Sequence, residues 1–231
     1  MPAELILLRQ LQLSDSSFPS GSYTLSHGLE TLVADRVVAS IDDLAAFVRI
    51  QLLAKFGRSD LVSLLAAHAA AAGVDAIDEI VAIDGRLTAS KIAADDRIGS
   101  ARSGRRLAIE VHRLAPSNAL TAFVAAIVAG QTAGNSAVAF GLAGSALGID
   151  RRATGLTASA AFVSGLAAAA VRMGLIGHGA AQRVIADAGP IILDAVDTAE
   201  SGDWQDLRPS APQIEIALAR HEAASARQFA S

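Results

Sequence analysis

The sequence predicts an all-α protein, a single-domain bundle of about ten helices. Three observations carry this. Apolar residues recur at helical spacing along most of the 231 residues, and no segment alternates apolar with polar as a half-buried strand would. Segment ends carry helix punctuation, with Ser or Asn before and Gly or Pro after. Hydrophobic residues make up 52% of the chain but aromatics only 4%, so the core must come from Ala, Leu, Val and Ile. Side chains this small let helices approach closely but bury less area each.

Leu5, Leu8 and Leu11 mark a first helix that ends before Phe18-Pro19. A second helix is expected to begin near Gly21 and run towards Val33. In "SIDDLAAFVRIQLLAKF", Ser40 is the N-cap and Asp43, three residues on, an acidic form of the capping box, with Leu44, Phe47, Val48 and Leu52 on one face. "RSDLVSLLAAHAAAA" is a helix stopped at Gly73, followed by another over residues 75–87. A long helix over residues 90–114 has a polar middle, and Pro116 ends it, with Ser117 or Asn118 capping the next.

In the second half, Gly134 separates the helix from Ala119 onward from a short one over residues 137–147. "GIDRRATG" reads as a loop, and "LTASAAFVSGLAAAAVRM" as a helix closed by Gly174. Gly189-Pro190 interrupts the following helical segment, because proline lacks the N–H and clashes with the preceding turn. "ESGDWQDLRPSAP" is a linker. Residues 211–231 then supply a final amphipathic helix, of the kind that docks late or only on a partner.

Residues 114–149 contain no Asp, Glu, Lys or Arg, which raises a membrane-associated helical protein as one alternative. Leu120, Phe123, Val124, Ile127 and Val128 form a single stripe, whereas lipid rewards large residues all round; the pattern predicts a buried helix of a soluble bundle. The N-terminus lacks the basic start and cleavage site of a signal peptide. A net charge of -4 gives no basic face for nucleic acid. With no cysteine, disulfides, thiol nucleophiles and thiolate metal sites are excluded.

"FPSGSYTLSHGLE", residues 18–30, is unlike its surroundings. A phosphate loop needs G-x-x-x-x-G-K-S/T, and no lysine follows Gly28; the only lysines are Lys55 and Lys91. A second alternative is a helical enzyme with a site around His27 and Glu30, which lie three apart and could pair on one helix face. Adjacent Ser26 and His27 would point about 100° apart on that helix, which disfavours a triad. The five histidines are scattered with no H-x-x-x-H pair, so no metal site of the chain's own is expected; His221-Glu222 could at most share a weak one across a dimer. Arg102, Arg105 and Arg106 cluster beside Ser100, Ser103 and Gly104. They form a solvated basic face, a docking site for an acidic partner, or an inter-helix salt-bridge network. Glycine within a helix costs roughly 0.5–1 kcal/mol relative to alanine, so Gly104 points to another backbone packed close by. In the last helix, Ile214, Leu218 and His221 form one side, with Glu215, Arg220 and Arg227 on others.

"SDSSFPSGSYTLSHGLE" resembles the N-terminal signature of the urease accessory protein UreF family, roughly "FP.G.(F/Y)..S.GLE" after a Leu-rich helix. "IGSARSGRRL" looks like the family's "R..S...G..LL" helix, "AVRMGLIGHGAAQRVI" is similar to "A.RL..LGQ..GQ..L", and "RHEAASARQFAS" resembles "HE....RLF.S". The matches follow in order over nearly the full chain. The chain departs from the pattern at His27 and His178, where Gln is frequent, and at Asn135-Ser136.

The resemblance implies an all-helical, homodimeric, cytoplasmic metallochaperone subunit, not an enzyme. Its implied partners are UreD (UreH), the GTPase UreG and the urease apoprotein. Its implied task is assisting nickel insertion and regulating the GTPase. No cofactor is implied; nickel is handled by the complex. Tyr23, Ser26, His27 and Glu30 fall in the signature. Ser100, His221, Glu222, Arg227 and Phe229 carry the other motifs, and with Arg102, Arg105 and Arg220 they are the candidate partner-interface residues.

Overall fold

A computed structural model describes residues 2–19, 24–73, 76–224 and 227–230. Among them are twelve α-helices and no strand. They are α1 (Ala3–Ser14), α2 (Leu29–Ala34), α3 (Ile41–Ile50), α4 (Asp60–Ala70), α5 (Ala76–Ser90) and α6 (Ala94–Leu114). The second half holds α7 (Asn118–Val128), α8 (Ser136–Leu147), α9 (Arg151–Arg172), α10 (His178–Asp187), α11 (Gly189–Glu200) and α12 (Pro212–Glu222).

Local punctuation explains several boundaries. Ser40 Oγ accepts from the Asp43 N–H at 3.1 Å, and Asp43 answers by accepting from the Ala39 N–H and the Ser40 hydroxyl, closing the expected box. Ser117 caps α7 by accepting from the Leu120 N–H. Gly174, at φ 71°, follows the end of α9, and Pro190 sits in the first turn of α11, where its missing N–H costs nothing.

Helix α8 lies at the centre, against α4, α6, α7 and α9. Eight of its twelve residues are Gly, Ala or Ser, and a Cβ on Gly141 would stand 2.2 Å from the Leu64 carbonyl oxygen of α4. The small-residue core expected from composition is therefore a device for close helix approach. Leu64, Leu65, Leu142, Phe123 and Val163 fill the space between helices, each contributing roughly 1.5–3 kcal/mol by burial. The charge-free stretch 114–149 divides into α7 and α8 of 11 and 12 residues, too short to span a bilayer core. Among the described residues, α9 alone is long and apolar enough to cross a membrane, and 56% of its apolar window is buried inside the chain.

Four expectations need correction. The second helix is α2 from Leu29; the expected start near Gly21 lies outside the described residues, and His27 (φ 53°) and Gly28 (φ 86°) both take left-handed backbone, which no α-helix continues through. The helix expected from residue 90 begins at Ala94, because the chain breaks at Lys91, whose ammonium is drawn inward by Asp60. "GIDRRATG" is mostly helix: Asp150 accepts from the Ala153 N–H and starts α9 at Arg151. The last helix ends at Glu222, beyond which residues 227–230 fold back as irregular chain onto Glu30 and Thr24. A further difference concerns α1. Leu5, Leu8 and Leu11 face outward at 41%, 61% and 57% exposure, and Leu13 alone of that helix is buried.

Candidate functional site

Two polar constellations stand out, and both join segments far apart in sequence. The first fastens the C-terminus. His221 projects from α12 and is buried, with Nε2 3.0 Å from Glu30 Oε2 of α2 and Nδ1 3.0 Å from Asp95 Oδ2 of α6. Both ring nitrogens thus face a carboxylate oxygen, one from each of two other helices. Glu30 also accepts from the backbone N–H groups of Gln228 (2.7 Å) and Phe229 (3.1 Å), and Arg227 donates to Asp95 at 3.0 Å. Phe229 is buried beneath the Arg172 guanidinium, 4.4 Å from its ring centroid, and the Ala230 N–H donates to the Thr24 carbonyl. Glu222 accepts from the Ala94 and Asp95 N–H groups and so caps α6, where a negative charge meets the positive helix end.

The second constellation gathers the chain's two lysines. Helix α3 runs on into a wider π turn over Gln51–Lys55 and a 3-10 turn over Phe56–Arg58. That widening turns Gln51 and Lys55 inward. Lys55 pairs with Asp96 (3.2 Å) and with Glu215 of α12. Lys91 pairs with Asp60 (2.9 Å) and Asp96 (3.6 Å). All four of Lys55, Asp60, Lys91 and Asp96 are buried. Burial alone would pull the Lys91 ammonium down, but the charges of Asp60 and Asp96 overcome it and hold Lys91 above the usual lysine range. Burial would likewise raise Asp96; Lys91 and Lys55 outweigh it and keep that carboxyl well below the usual range. The Lys91 amine is thus not prepared as a nucleophile, which would need a depressed pKa.

These residues form one wall of a cleft of about 310 Å³, whose apolar wall includes Leu25, Phe56, Phe140 and Phe162. His27 stands at its side, 4.9 Å from the Phe162 ring, which stacks on Phe56 at 4.4 Å. Desolvation pushes the His27 imidazole down to about 4, the surrounding charges of Asp96, Lys91, Asp60 and Lys55 acting in both directions. Its carbonyl accepts from Gln51 Nε2 at 2.9 Å.

The candidate residues separate cleanly. Glu30, His221, Glu222, Arg227 and Phe229 come together in the C-terminal clasp. The proposed His27–Glu30 pair does not form: the left-handed turn at His27-Gly28 sends the imidazole to Phe162 and Glu30 to His221. The geometry that an enzyme reading around His27 and Glu30 required is therefore missing. Ser26 is fully buried, and Tyr23 lies outside the described residues. His221, enclosed between two carboxylates on opposite ring edges, is not placed to share a metal across a dimer. Among the described residues no group of three His, Asp or Glu side chains could hold a metal ion. Ser100 contacts the Ser136 hydroxyl at 3.2 Å and accepts from the Ser136 N–H. A Cβ on Gly104 would stand 2.2 Å from the Gly134 carbonyl oxygen, so the close backbone expected at this glycine is there. Arg102, Arg105, Arg220 and Arg227 are exposed; Arg220 makes a two-point pair with Asp35.

Reasoning from sequence missed both buried lysines and Asp84. The Asp84 carboxylate, fully buried, accepts from Thr132 Oγ1 and from the Gly134 and Asn135 N–H groups, and so shapes the 130–135 loop. Asn135, a departure from the family pattern, is a structural residue of that loop. The one available signal was that an otherwise lysine-free chain retained two.

One all-α bundle thus unites the signature near the chain's start with the "RHE" and "RQF" segments near its end, the arrangement of a helical accessory protein. The UreF family model matches residues 38–189. The chain is 32% identical over 224 residues to the urease accessory protein UreF of Trichodesmium erythraeum, covering 97% of this chain and 96% of that protein. It is also 32% identical over 225 residues to UreF of Lachnoclostridium phytofermentans, covering 97% and 98%. A third relative, UreF of Bacillus sp. strain TB-90, is 32% identical over 229 residues, covering 97% and 99%. The chain belongs to the UreF family of urease accessory proteins.

Proposed function

We propose that this chain is a dimeric scaffold in a urease maturation complex. In this reading it binds a UreD-type (UreH) subunit and the GTPase UreG, regulates that GTPase, and assists nickel insertion into the urease apoprotein. The observation that carries the reading is full-length similarity to UreF proteins combined with the junction of the resembling motifs in one clasp around Glu30 and His221. The role proposed is binding, not catalysis, and nickel is cargo of the complex.

A homodimer is supported by the uncovered leucine face of α1, where Leu7 and Leu8 are 55% and 61% exposed. Such contiguous apolar surface marks an interaction site. Partner docking by residues 211–231 would use the outward side of α12, with Ile216 (59% exposed) and Arg220, since Ile214, Ala217, Leu218 and His221 are buried within the chain itself. A cytoplasmic location belongs to the same reading.

The test is gel filtration with light scattering of the purified chain, alone and mixed with purified UreD-type subunit and UreG. The reading predicts a dimer alone and a larger co-eluting assembly in the mixture. A monomer that co-elutes with neither partner would refute it.

A further inference from the structure

The outward face of α6 alternates apolar and basic side chains along its length. Ile98, Arg102, Arg105, Ile109 and Arg113 recur at three- and four-residue steps, with Arg106 at the edge, so they share one side of the helix over about 22 Å. Ile98 is 63% and Ile109 37% exposed. Among the described residues, no carboxylate pairs with Arg102, Arg105 or Arg106. Arg102 donates to the Thr24 hydroxyl at 3.0 Å and Arg105 to the Ala133 carbonyl at 2.8 Å, both neutral acceptors. Each guanidinium has five donors. One contact therefore fixes the fork of Arg102 and of Arg105 without neutralising it, and both side chains are exposed. Less side-chain entropy is then lost on binding.

This concentration of uncompensated positive charge lies on a chain whose net charge is -4, so it is a local feature and not a general basicity. The exposed isoleucines decide what kind of partner fits. A nucleic-acid backbone would neutralise the arginines but cover no apolar surface, whereas an acidic protein surface does both. The buried side of the helix is committed to packing, with Ser100, Ser103, Gly104 and Leu107 inside, so the outward stripe is free of that duty.

We propose that the α6 stripe of Ile98, Arg102, Arg105, Arg106 and Ile109 is a docking surface for an acidic, carboxylate-bearing face of a protein partner. This rests on the urease-maturation reading for the identity of the probes. The stripe begins beside Thr24, whose carbonyl accepts from the Ala230 N–H of the clasped tail, and passes the 130–135 loop at Arg105.

The experiment titrates the full-length chain against purified UreG, UreD-type subunit and urease apoprotein at low and at physiological salt. It compares the chain with an Arg102→Ser/Arg105→Ser/Arg106→Ser variant and with Arg106→Glu. The latter breaks no recorded internal bond and serves if the triple variant melts early. The expected result is that one partner binds the unaltered chain with affinity falling as salt rises. The triple variant should bind it about tenfold or more weakly with a flatter salt dependence, and Ile98→Ser should weaken binding while leaving that dependence steep. Equal affinity and equal salt dependence in all variants would overturn the proposal while leaving the maturation reading standing. Binding of none of the three partners by the unaltered chain would sink the maturation reading and this proposal with it. Tight binding of a DNA duplex, lost in the triple variant, would also overturn it by assigning the stripe to nucleic acid.

Discussion

Glu30 and His221 are 191 residues apart in the chain and 3.0 Å apart in the fold. Through them the second helix holds the last one, and Glu30 continues outward to the Gln228 and Phe229 N–H groups. Removing the imidazole leaves Glu30 and Asp95 as neighbouring carboxylates without the group between them. His221→Ala should therefore cost about 2–4 kcal/mol, and Glu30→Gln somewhat less, because the amide can still accept one tail N–H. Urea unfolding gives the cost, and trypsin cleavage after Arg227 reports tail release. Unchanged midpoints with unchanged cleavage would show that the clasp does not hold the tail.

The lysine cluster makes a second, sharper prediction. A buried ion pair that loses one partner strands a charge, typically at about 3–5 kcal/mol, whereas loss of both can be close to neutral. Lys91→Met should destabilise strongly, and Lys91→Met/Asp60→Asn should recover part of the loss, since Asp60 no longer faces an apolar group as an anion. A double variant no more stable than the single would mean that the Lys91–Asp60 contact does not account for the loss.

His27 should govern the acid side of the stability curve. Its folded pKa, about 4, lies below the ordinary histidine value of 6.5, so the unfolded chain binds the proton first. Stability is fully present above about pH 6.5 and is lost as pH falls towards 4, by an amount on the order of 3 kcal/mol. His27→Gln should flatten that window. A variant with the same slope between pH 6.5 and 4 as the parent would assign the loss to other groups.

How much of this was legible in the sequence depended on range. Ser40, Ser117, Gly174 and Pro190 act on their own turns, and the helices they delimit follow from local chemistry. Gly104 announced a close backbone because a mid-helix glycine otherwise only costs stability, and the Gly134 carbonyl is that backbone. The start of α2 at Leu29 is not legible locally, because nothing in "SHGLE" shows that His27, a side-chain-bearing residue, takes left-handed backbone; tertiary contacts of its ring with Phe162 and its carbonyl with Gln51 accompany it. The clasp partners of Glu30 were invisible to helical spacing, which only offers residues three or four away. Lys55 and Lys91 had no pattern at all: the π turn that aims Lys55 inward is a product of packing, and its partners Asp96 and Glu215 come from two other helices. Family resemblance supplied the class of protein where local chemistry could not.

The central claim is that this chain serves urease maturation, and urease activity in cells measures it most directly. The host should express a nickel-dependent urease with its other accessory proteins and lack its own UreF. Expression of this chain should restore urease specific activity in nickel-containing medium, and the His221→Ala variant should restore less at equal protein level. Urease activity that stays at the level of the deletion strain, with the chain present, folded and accompanied by its cognate partners, would contradict the account.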